Sequence, residues 1–255
     1  MSLTRLALRF AAPVPQAEQF ERALFIGPHP DDIEIGAGAT AAKLAAMGKQ
    51  VCFLICTDGR YGEGNVPETG DALAALRREE AVRAAAVLGV SDVRFLELCD
   101  GGFYAQDALL AGIAKAIGDF QPDILFAPDP CVPSEGHPDH LNVGNAVRRL
   151  AALAPHGGIM ARYGAKRARV QAVAFYMTAR PNRYVRTAGY VKKQFEAVFS
   201  CFPSQYPPGD PAGKAVALYL RLRALDFGLR SFKGCAEGFR VLGALHMHCL
   251  PESGL

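Results

Sequence analysis

The chain is organised around Gly27-Pro28-His29-Pro30-Asp31-Asp32-Ile33-Glu34. It follows Ala23-Leu24-Phe25-Ile26, a short apolar run typical of a buried strand, and precedes Gly36-Ala37-Gly38-Ala39-Thr40, which opens an alanine-rich helical segment. Buried carboxylates are costly unless they are paired or bound to a metal. A strand that ends in an imidazole and two adjacent carboxylates therefore indicates a functional loop rather than part of a core.

A second polar cluster, Gly136-His137-Pro138-Asp139-His140, lies about a hundred residues further along the chain. It also follows an apolar run typical of a strand, Ile124-Leu125-Phe126-Ala127. Two strand ends that both carry histidine and aspartate predict one metal site assembled from two loops.

The first 155 residues alternate between apolar runs and helical patterns. Two further strands are predicted at Val51–Cys56 and Val93–Leu96, and four helices at Gly36–Met47, Leu73–Leu88, Leu109–Phe120 and Leu141–Leu153. This alternation predicts an α/β fold with a Rossmann-like, mostly parallel sheet and helices on both faces. In such sheets the ligand crevice lies at the carboxyl ends of the strands, where the polar loops 28–34, 57–65 and 128–140 fall.

The remaining chain has a weaker pattern. We predict a strand at Val170–Tyr176, helices at Tyr190–Phe199 and from Lys214 to about Leu229, and a loop at Pro203–Pro211. No clean linker interrupts the sequence. A single domain over 21–255, preceded by an N-terminal extension over 1–20, is the expected organisation.

Composition fits a globular protein, with 255 residues of which 50% are hydrophobic and 21% charged. The formal net charge is only +3, and the basic doublets are spread out, so we expect solvated helix faces and no nucleic-acid partner. No segment is long and apolar enough to predict a membrane span. The 7 cysteines include no Cys-x-x-Cys, and Cys52 and Cys56 fall in a predicted strand, which favours free thiols and a cytoplasmic location.

The two clusters offer more ligands than one catalytic metal needs. A catalytic zinc takes three protein ligands and keeps one position for water. His29 and Asp32 are three residues apart, and so are His137 and His140, so spacing leaves open which second-cluster histidine binds the metal. Asp31 is suited to take the proton of an activated water. The histidine left over could act as an acid, with Asp139 holding its ring.

These motifs resemble the PIG-L/LmbE-like family of zinc-dependent N-acetylglucosaminyl deacetylases. The similarity rests on His29-Pro30-Asp31-Asp32 together with His137-Pro138-Asp139-His140. It extends to further short motifs: Gly36–Thr40, Thr57-Asp58-Gly59, Arg77-x-x-Glu80, Leu88-Gly89-Val90, Ser204-Gln205 and Ala236-Glu237-Gly238-Phe239. The resemblance implies removal of an N-acetyl group from a glucosamine-containing small molecule or conjugate, which makes the chain a metal-dependent amide hydrolase.

The resemblance also implies roles for individual residues. His29, Asp32 and His140 would be the ligands of a zinc ion, with Fe²⁺ as an alternative metal. Asp31 would be the general base, His137 the electrostatic catalyst or acid, and Asp139 its partner.

The sequence departs from the family pattern near the substrate. Arg60 stands where the family often has an acidic residue, and Phe202 stands where it often has a histidine. One hypothesis is that Arg60 selects an anionic group on the substrate. Arg77 is equally compatible with a substrate clamp and with a solvated helix face. The aglycone and the oligomeric state are left open, and a homo-oligomer is compatible with the sequence.

Two rival functions need to be weighed. Gly36-Ala37-Gly38-Ala39-Thr40-Ala41 fits the dinucleotide fingerprint Gly-x-Gly-x-x-Ala, and Asp58 follows the next strand, as in a nucleotide-binding oxidoreductase. Against this, residues 27–35 separate the first glycine from the strand. The other rival is an inactive, metal-dependent sugar-binding protein, which would not need Asp31. His246 and His248 could bind metal, but without nearby carboxylates we expect a structural role.

Overall fold

The structure is a computed structural model that describes residues 3–63 and 65–248. Within these residues the strands form a seven-stranded sheet in the order β3-β2-β1-β4-β5-β7-β6. Strands β1 to β5 pair in parallel, whereas β7 is antiparallel to both β5 and β6. The strand bounds are β1 Arg22–Gly27, β2 Gln50–Thr57, β3 Asp92–Leu98, β4 Ile124–Pro128, β5 Ala172–Tyr176, β6 Arg183–Arg186 and β7 Ala236–Gly243. The predicted α/β fold with a mostly parallel sheet is confirmed.

Helices cover both faces of this sheet, as predicted. Their bounds are α1 Leu3–Ala11, α2 Asp32–Ala46, α3 Gly70–Leu88, α4 Gln106–Phe120, α5 Pro138–Leu153, α6 Gly157–Arg162, α7 Val191–Cys201 and α8 Pro211–Ser231. Since successive strand residues point to opposite faces, β1 sends Phe25 into the layer under α2, α3 and α7. Its neighbours Leu24 and Ile26 enter the layer under α4, α5 and α6.

Several predicted boundaries agree closely with the structure. Helix α3 ends where expected, because Gly89 adopts a left-handed conformation with φ 85° that closes the last turn. Strands β6 and β7 and helices α1 and α6 were not predicted. Strand β6 has arginine at both ends, and β7 carries the buried Arg240, so neither shows the apolar run that marks the parallel strands.

Helix α2 begins at Asp32 rather than at Gly36, and it is broken one turn later. Ala37 has φ −151° and ψ 15°, outside the helical region. The break frees backbone amides, and those of Ala39 and Thr40 donate to the buried carboxylate of Glu237 at 3.1 and 2.7 Å. The Glu237 carboxylate thus serves as an N-cap for the second part of the helix.

The carbonyls released by the same break are also satisfied. The amide Nε2 of Gln194 on α7 donates to the carbonyls of Glu34 and Ile35 at 2.9 and 3.2 Å. Gly36 is required at this point, because a Cβ there would lie 2.3 Å from the ring of Tyr176. The glycines that resemble a dinucleotide fingerprint therefore serve close packing.

A dinucleotide would need free amides at the start of this helix. The amides of Ala39 and Thr40 are already bonded to Glu237, and the fingerprint lies inside α2 rather than in the turn after β1. These contacts exclude dinucleotide binding at this fingerprint, which was the basis of the nucleotide-binding alternative.

Residues 12–20 lie against the end of the sheet. The Arg183 Nε donates to the carbonyl of Val14 at 3.0 Å, and Phe20 is 6% exposed. His246 bonds the Ala12 carbonyl through Nε2 at 2.8 Å and accepts from the Gly243 amide through Nδ1 at 3.0 Å. His246 therefore joins the N-terminal segment to β7, as a structural histidine would. The division of the chain at residue 20 stays a prediction.

None of the helices among the described residues combines the length and the apolar character that crossing a membrane requires. The six cysteines in this part of the chain are free thiols, and Cys52 and Cys56 are buried as predicted. Cys249 lies outside the described residues.

Candidate metal centre and active site

The two polar loops meet because their strands are neighbours. Strands β1 and β4 pair in parallel, so the loops at their carboxyl ends emerge side by side. The ring centroids of His29 and His137 lie 4.6 Å apart, and those of His29 and His140 lie 5.4 Å apart. The predicted convergence of the two motifs is thus present in the structure.

Three donors of a type that suits a divalent metal lie together. Asp32 Oδ2 is 3.1 Å from His29 Nδ1 and 3.3 Å from His140 Nε2. Two imidazole nitrogens and one carboxylate oxygen form a ligand set that zinc commonly uses. His137 is also within reach, since His29, His137 and His140 each place a possible ligand atom within 4.8 Å of the others. The group is therefore able to hold a metal ion, although distance alone does not separate His137 from His140.

Carboxylates hold the other side of the His29 ring. His29 Nε2 lies 3.0 Å from Asp100 Oδ1 and 3.1 Å from Asp139 Oδ2. Burial by itself lowers the pKa of His29, but bonds to Asp100, Asp139 and Asp32 outweigh it and raise that pKa to about 12. The other oxygen of Asp139, Oδ1, is buried and has no hydrogen-bond partner. A buried carboxylate oxygen without a partner is costly, and this orphan atom fits a site that holds a further ligand.

Asp32 stays ionised beside these rings. Burial would raise its pKa, but hydrogen bonds from His140 and His29 hold the pKa of Asp32 well below its ordinary range. Burial likewise lowers the pKa of His140, and the bond to Asp32 outweighs it, raising that pKa to about 9. Histidine and aspartate side chains that could bind one metal compete for protons in the same way. When protons occupy the imidazole nitrogens, the rings are positive and the neighbouring carboxylate is ionised.

Sequence reasoning missed two residues of the site. Asp100, in the loop after β3, touches His29, and Glu135, in the loop after β4, accepts from His140 Nδ1 at 2.9 Å. The other oxygen of Glu135 accepts from the backbone amide of His137 at 2.8 Å. Their location after parallel strands was the available signal, because the carboxyl ends of such strands form the crevice.

The contacts of Asp139 differ from the expectation. Its carboxylate lies 3.9 Å from His137 Nδ1, beyond hydrogen-bond distance, and instead contacts His29 and the Gly101 amide, the latter at 2.8 Å. The backbone amide of Asp139 donates to His137 Nδ1 at 3.3 Å. The side chain of Asp139 thus orients His29, and its main chain orients His137, because α5 begins at this point.

Asp31 stands at the start of α2 in an unusual conformation. Its φ of 115° is left-handed, where a non-glycine residue is strained, and such strain is commonly found at functional sites. Burial raises the pKa of Asp31 to about 7, and the opposing effect of Arg77 only moderates it. A carboxyl group with a pKa near neutrality is suited to general base catalysis.

Arg77 is buried, which overturns the possibility that it lies on a solvated helix face. The residue is 4% exposed, and its guanidinium donates to the carbonyls of Pro30 and Gly59 at 2.6 and 3.0 Å. Its Nη2 lies 3.5 Å from Asp31 Oδ1. Arg77 therefore joins the first motif to the loop after β2, and it holds a positive charge beside Asp31.

Arg60 is engaged by carboxylates. It pairs with Asp58, with Nε–Oδ2 and Nη2–Oδ2 distances of 2.8 and 2.7 Å, and with Asp71 at 2.9 Å. Two carboxylates compensate its single positive charge, so its capacity to attract an anionic substrate group is reduced.

An α/β sheet with a histidine–carboxylate cluster at its carboxyl edge is able to hold a divalent metal in the crevice where such sheets bind ligands. The family model PIG-L, described as GlcNAc-PI de-N-acetylase, matches residues 24–151. The chain therefore belongs to the PIG-L family.

Relatives named as deacetylases match over most of the chain. The diacetylchitobiose deacetylase of Thermococcus kodakarensis is 32% identical over 246 residues, which cover 91% of this chain and 86% of that protein. A 1D-myo-inositol 2-acetamido-2-deoxy-alpha-D-glucopyranoside deacetylase of Kineococcus radiotolerans is 36% identical over 207 residues, covering 69% of this chain and 57% of that protein. Deacetylases are amide hydrolases, and the prediction of that enzyme class is confirmed.

A solved structure shows the same architecture. The N,N'-diacetylchitobiose deacetylase from Pyrococcus horikoshii, complexed with its inhibitor MPG, superposes with a TM-score of 0.87 and 29% identity. The match covers 98% of this chain and 97% of that one. The similarity therefore includes the C-terminal strands and α8, beyond the region that the family model matches.

Proposed function

We propose that this chain is a zinc-dependent deacetylase that removes an N-acetyl group from a glucosamine-containing small molecule. The observation that carries the proposal is the convergence of His29, Asp32 and His140 beside the strained carboxylate of Asp31. The names of the relatives give diacetylchitobiose and an inositol glucosaminide as their substrates. Both compounds contain N-acetylglucosamine.

His29, Asp32 and His140 would hold the metal, in keeping with the roles that the family resemblance implies. The ion would supply a Lewis acid that polarises the amide carbonyl and eases deprotonation of water. Glu135 holds the His140 ring through Nδ1, and Asp139 with Asp100 holds the His29 ring through Nε2. Such contacts from carboxylates to ligand histidines orient the rings toward a metal.

Asp31 takes the proton that the attacking water gives up. Arg77 and the turn at the start of α2 fix the position of this carboxylate. The backbone amide of Asp139 donates to His137 Nδ1, so the His137 ring is neutral and carries its single proton on Nε2. Burial, together with the positive charges of His29 and His140, lowers the pKa of His137 and favours this neutral ring. His137 therefore acts as the electrostatic catalyst, donating a hydrogen bond from its Nε2–H to the developing oxyanion, and the proton that Asp31 takes from the water passes to the departing amine.

The test is release of free amine and acetate from a panel of N-acetylglucosaminides, N,N'-diacetylchitobiose among them. We expect activity in the presence of zinc, loss after chelation, and recovery when zinc is restored. The same panel assayed with Fe²⁺ under anaerobic conditions decides between the two metals.

Two negative outcomes would have different meanings. If the protein binds zinc and retains an N-acetylated sugar without releasing acetate, the inactive sugar-binding alternative is correct. If it binds neither, the proposal fails altogether. The free thiols of the described cysteines are compatible with the proposed cytoplasmic location, and a fractionation experiment tests it.

The Arg60 hypothesis is tested on the same panel. Because Asp58 and Asp71 already pair with Arg60, we propose that Arg60→Ala leaves the KM for neutral glucosaminides unchanged. A selective rise in KM for anionic substrates would support a role for Arg60 in their recognition.

A further inference from the structure

A cavity of about 260 Å³ lies at the carboxyl edge of the sheet, between α8 and the start of β7. Its wall includes Met177, which directly follows β5, Ile35 from the first turn of α2, and Ser134 from the loop after β4. Parallel α/β sheets bind ligands at this edge. By liquid volume the cavity would hold about nine water molecules, which is room for one end of a small substrate.

The cavity shares two of its walls with the proposed metal centre. Ile35 lies three residues after Asp32, so the two side chains fall on the same face of the first turn of α2. Ser134 directly precedes Glu135, whose carboxylate accepts from His140 Nδ1 at 2.9 Å. A substrate that places its N-acetyl group at the metal can therefore extend its other end toward the cavity.

Arg223 of α8 lines this cavity and is half-buried. Its Nη2 donates to the carbonyl of Thr178 at 3.0 Å, and its Nη1 donates to the hydroxyl of Tyr219. Its Cζ lies 5.0 Å from the ring centroid of Phe227 and 5.7 Å from that of Tyr219. These contacts fix the guanidinium but use only two of its five N–H groups, and the described residues offer no acceptor to the other three.

The positive charge of Arg223 forms no ion pair with a carboxylate within the described residues. Asp226, three residues further along α8, pairs with Arg230 at 2.9 Å instead. Glu237 is the other charged residue that lines the cavity, but its two oxygens accept from N–H groups of α2 and α7. A half-buried guanidinium with free donors and no counter-ion favours a ligand that carries a negative charge.

The contrast with Arg60 indicates which arginine suits an anionic substrate. Arg60 is already balanced by Asp58 and Asp71, whereas no carboxylate of the described residues balances Arg223. One guanidinium neutralises one negative charge, and its planar fork matches the two oxygens of a carboxylate. The cavity therefore suits a carboxylate better than a doubly charged phosphate.

We propose that Arg223 is a specificity-determining residue, which binds a carboxylate on the aglycone of the N-acetylglucosaminide substrate. This inference rests on the proposed deacetylase function. The aglycone enters the cavity while the N-acetyl group lies at the metal centre. Helix α8 and strand β7 lie outside the region matched by the family model, which ends at residue 151, so this cavity can select among substrates independently of the two metal-site motifs.

The experiment measures the binding of matched ligands by calorimetry. The ligands are carboxyalkyl glycosides of N-acetylglucosamine with one to three methylene groups, each compared with its own methyl ester. The protein is the zinc-loaded full chain carrying Asp31→Asn, in which the loss of the base prevents hydrolysis during the measurement. We expect an acid of this series to bind about 10–100-fold more tightly than its ester, as a hydrogen bond to a charged group provides.

Arg223→Met in the same protein removes the charge and keeps a long side chain beside Phe227. The affinity for the acid should fall to that for the ester, while circular dichroism and zinc content show that the fold and the metal site persist. Arg223→Lys, which keeps the charge without the fork, should retain part of the preference. The matched control is Arg221→Met, which removes an exposed arginine from the same helix outside the cavity and should retain the full preference.

Three results would overturn the proposal: no acid binds more tightly than its ester, the preference survives Arg223→Met, or Arg221→Met abolishes it equally. Acetate release is measured separately on the chain with Asp31 intact. If Arg223 confers the preference but no acetate is released, the proposed deacetylation fails and the carboxylate site stands. If acetate is released while acid and ester bind equally, the deacetylation stands and the inference about Arg223 fails.

Discussion

Two buried groups of charged side chains at the same edge of the sheet have opposite designs. One is the site cluster, which consists of His29, Asp32, Asp100, Asp139 and His140. The other is the closed pair, in which Asp129 on the loop after β4 meets Arg240 of β7 at 2.9 and 2.6 Å. Asp129, like the residues of the site cluster, follows a parallel strand, so its position alone does not tell the two groups apart.

The two groups differ in whether every charged atom has a hydrogen-bond or ion-pair partner within the group's surroundings. In the closed pair, both oxygens of Asp129 accept from Arg240, and they also accept from the Thr178 hydroxyl at 2.6 Å and the Cys131 amide at 3.0 Å. The site cluster crowds carboxylates around two imidazoles and leaves Asp139 Oδ1 without a partner. The closed pair has no charged oxygen left for a further partner, whereas the unpartnered oxygen of Asp139 leaves the site cluster with room for one.

The largest effect is expected for His140→Ala, which removes one proposed ligand from the site cluster. Zinc content should fall from near one ion per chain to near zero, and deacetylation should fall with it, because a site with two protein ligands holds zinc weakly. Metal analysis after dialysis measures the change. The exposed His156, at the start of α6, provides the control as His156→Ala. Full zinc occupancy in His140→Ala would show that His137 is the ligand instead.

The second-largest effect is expected for Asp31, the proposed general base. Asp31→Asn should retain zinc and stability but lose on the order of 10²–10⁴ in kcat, because general base catalysis contributes about that much. Asparagine is the appropriate replacement, since it tolerates the left-handed conformation with φ 115° at this position. The initial rate of amine release measures the loss. A variant that keeps the wild-type rate would remove Asp31 from the mechanism.

The same replacement of aspartate by asparagine in the closed pair should lower stability and not activity. Asp129→Asn should cost about 3–5 kcal/mol in the free energy of unfolding, because it leaves Arg240 buried without its charge partner. The kcat per folded molecule should remain close to wild type. Denaturant titration of both asparagine variants gives the comparison, and a stable but inactive Asp129→Asn would show that the two regions are not functionally distinct.

The difference in unfolding free energy between wild type and Asp129→Asn depends on pH, and the direction of the change can be predicted. Burial raises the pKa of Asp129, but bonds from Arg240 and Thr178 outweigh it and hold that pKa below its ordinary value. The ionised carboxylate therefore stabilises the fold above the pKa of the unfolded chain, and this stabilisation is lost as the pH falls through the folded-state pKa. The gap in unfolding free energy between wild type and Asp129→Asn should narrow in acid and be widest near neutral pH.

The smallest effect is expected for Glu135, and it tests whether this residue belongs to the metal site. Glu135 accepts from His140 Nδ1 with one oxygen and from the His137 amide with the other, and a glutamine can accept with only one. Glu135→Gln should weaken zinc affinity about 10–100-fold, as the loss of a carboxylate partner to a ligand histidine typically does. Competition with a chelator measures the affinity. The exposed Glu79→Gln on α3 is the control, and equal affinities would leave Glu135 outside the site.

The motifs and the alternating pattern predicted most of the parallel half of the fold. Strands β1, β2 and β4 are continuous apolar runs because both of their faces are buried, and such runs are visible in a sequence. The edge strand β3 is half-buried and has a weaker pattern, with Arg94 inside it. The break in α2 was not predictable, because the groups that satisfy it, Gln194 and Glu237, are about 160 and 200 residues away in the chain. For the same reason β7 went unrecognised, since Arg240 fits a buried strand only when Asp129 stands beside it.

The family, the α/β class and the two motifs from which the site is built could be recognised from the residues alone. They follow from residue type and short spacing, which are local properties of the chain. Other features became visible only in the folded chain: Asp100 and Glu135 contact the site histidines, the carboxylate of Asp139 faces His29, and Arg77 is buried beside Asp31. The physical reason is that hydrogen bonds and burial depend on distances between side chains, and distances between residues far apart in sequence are set by the packing of the whole sheet.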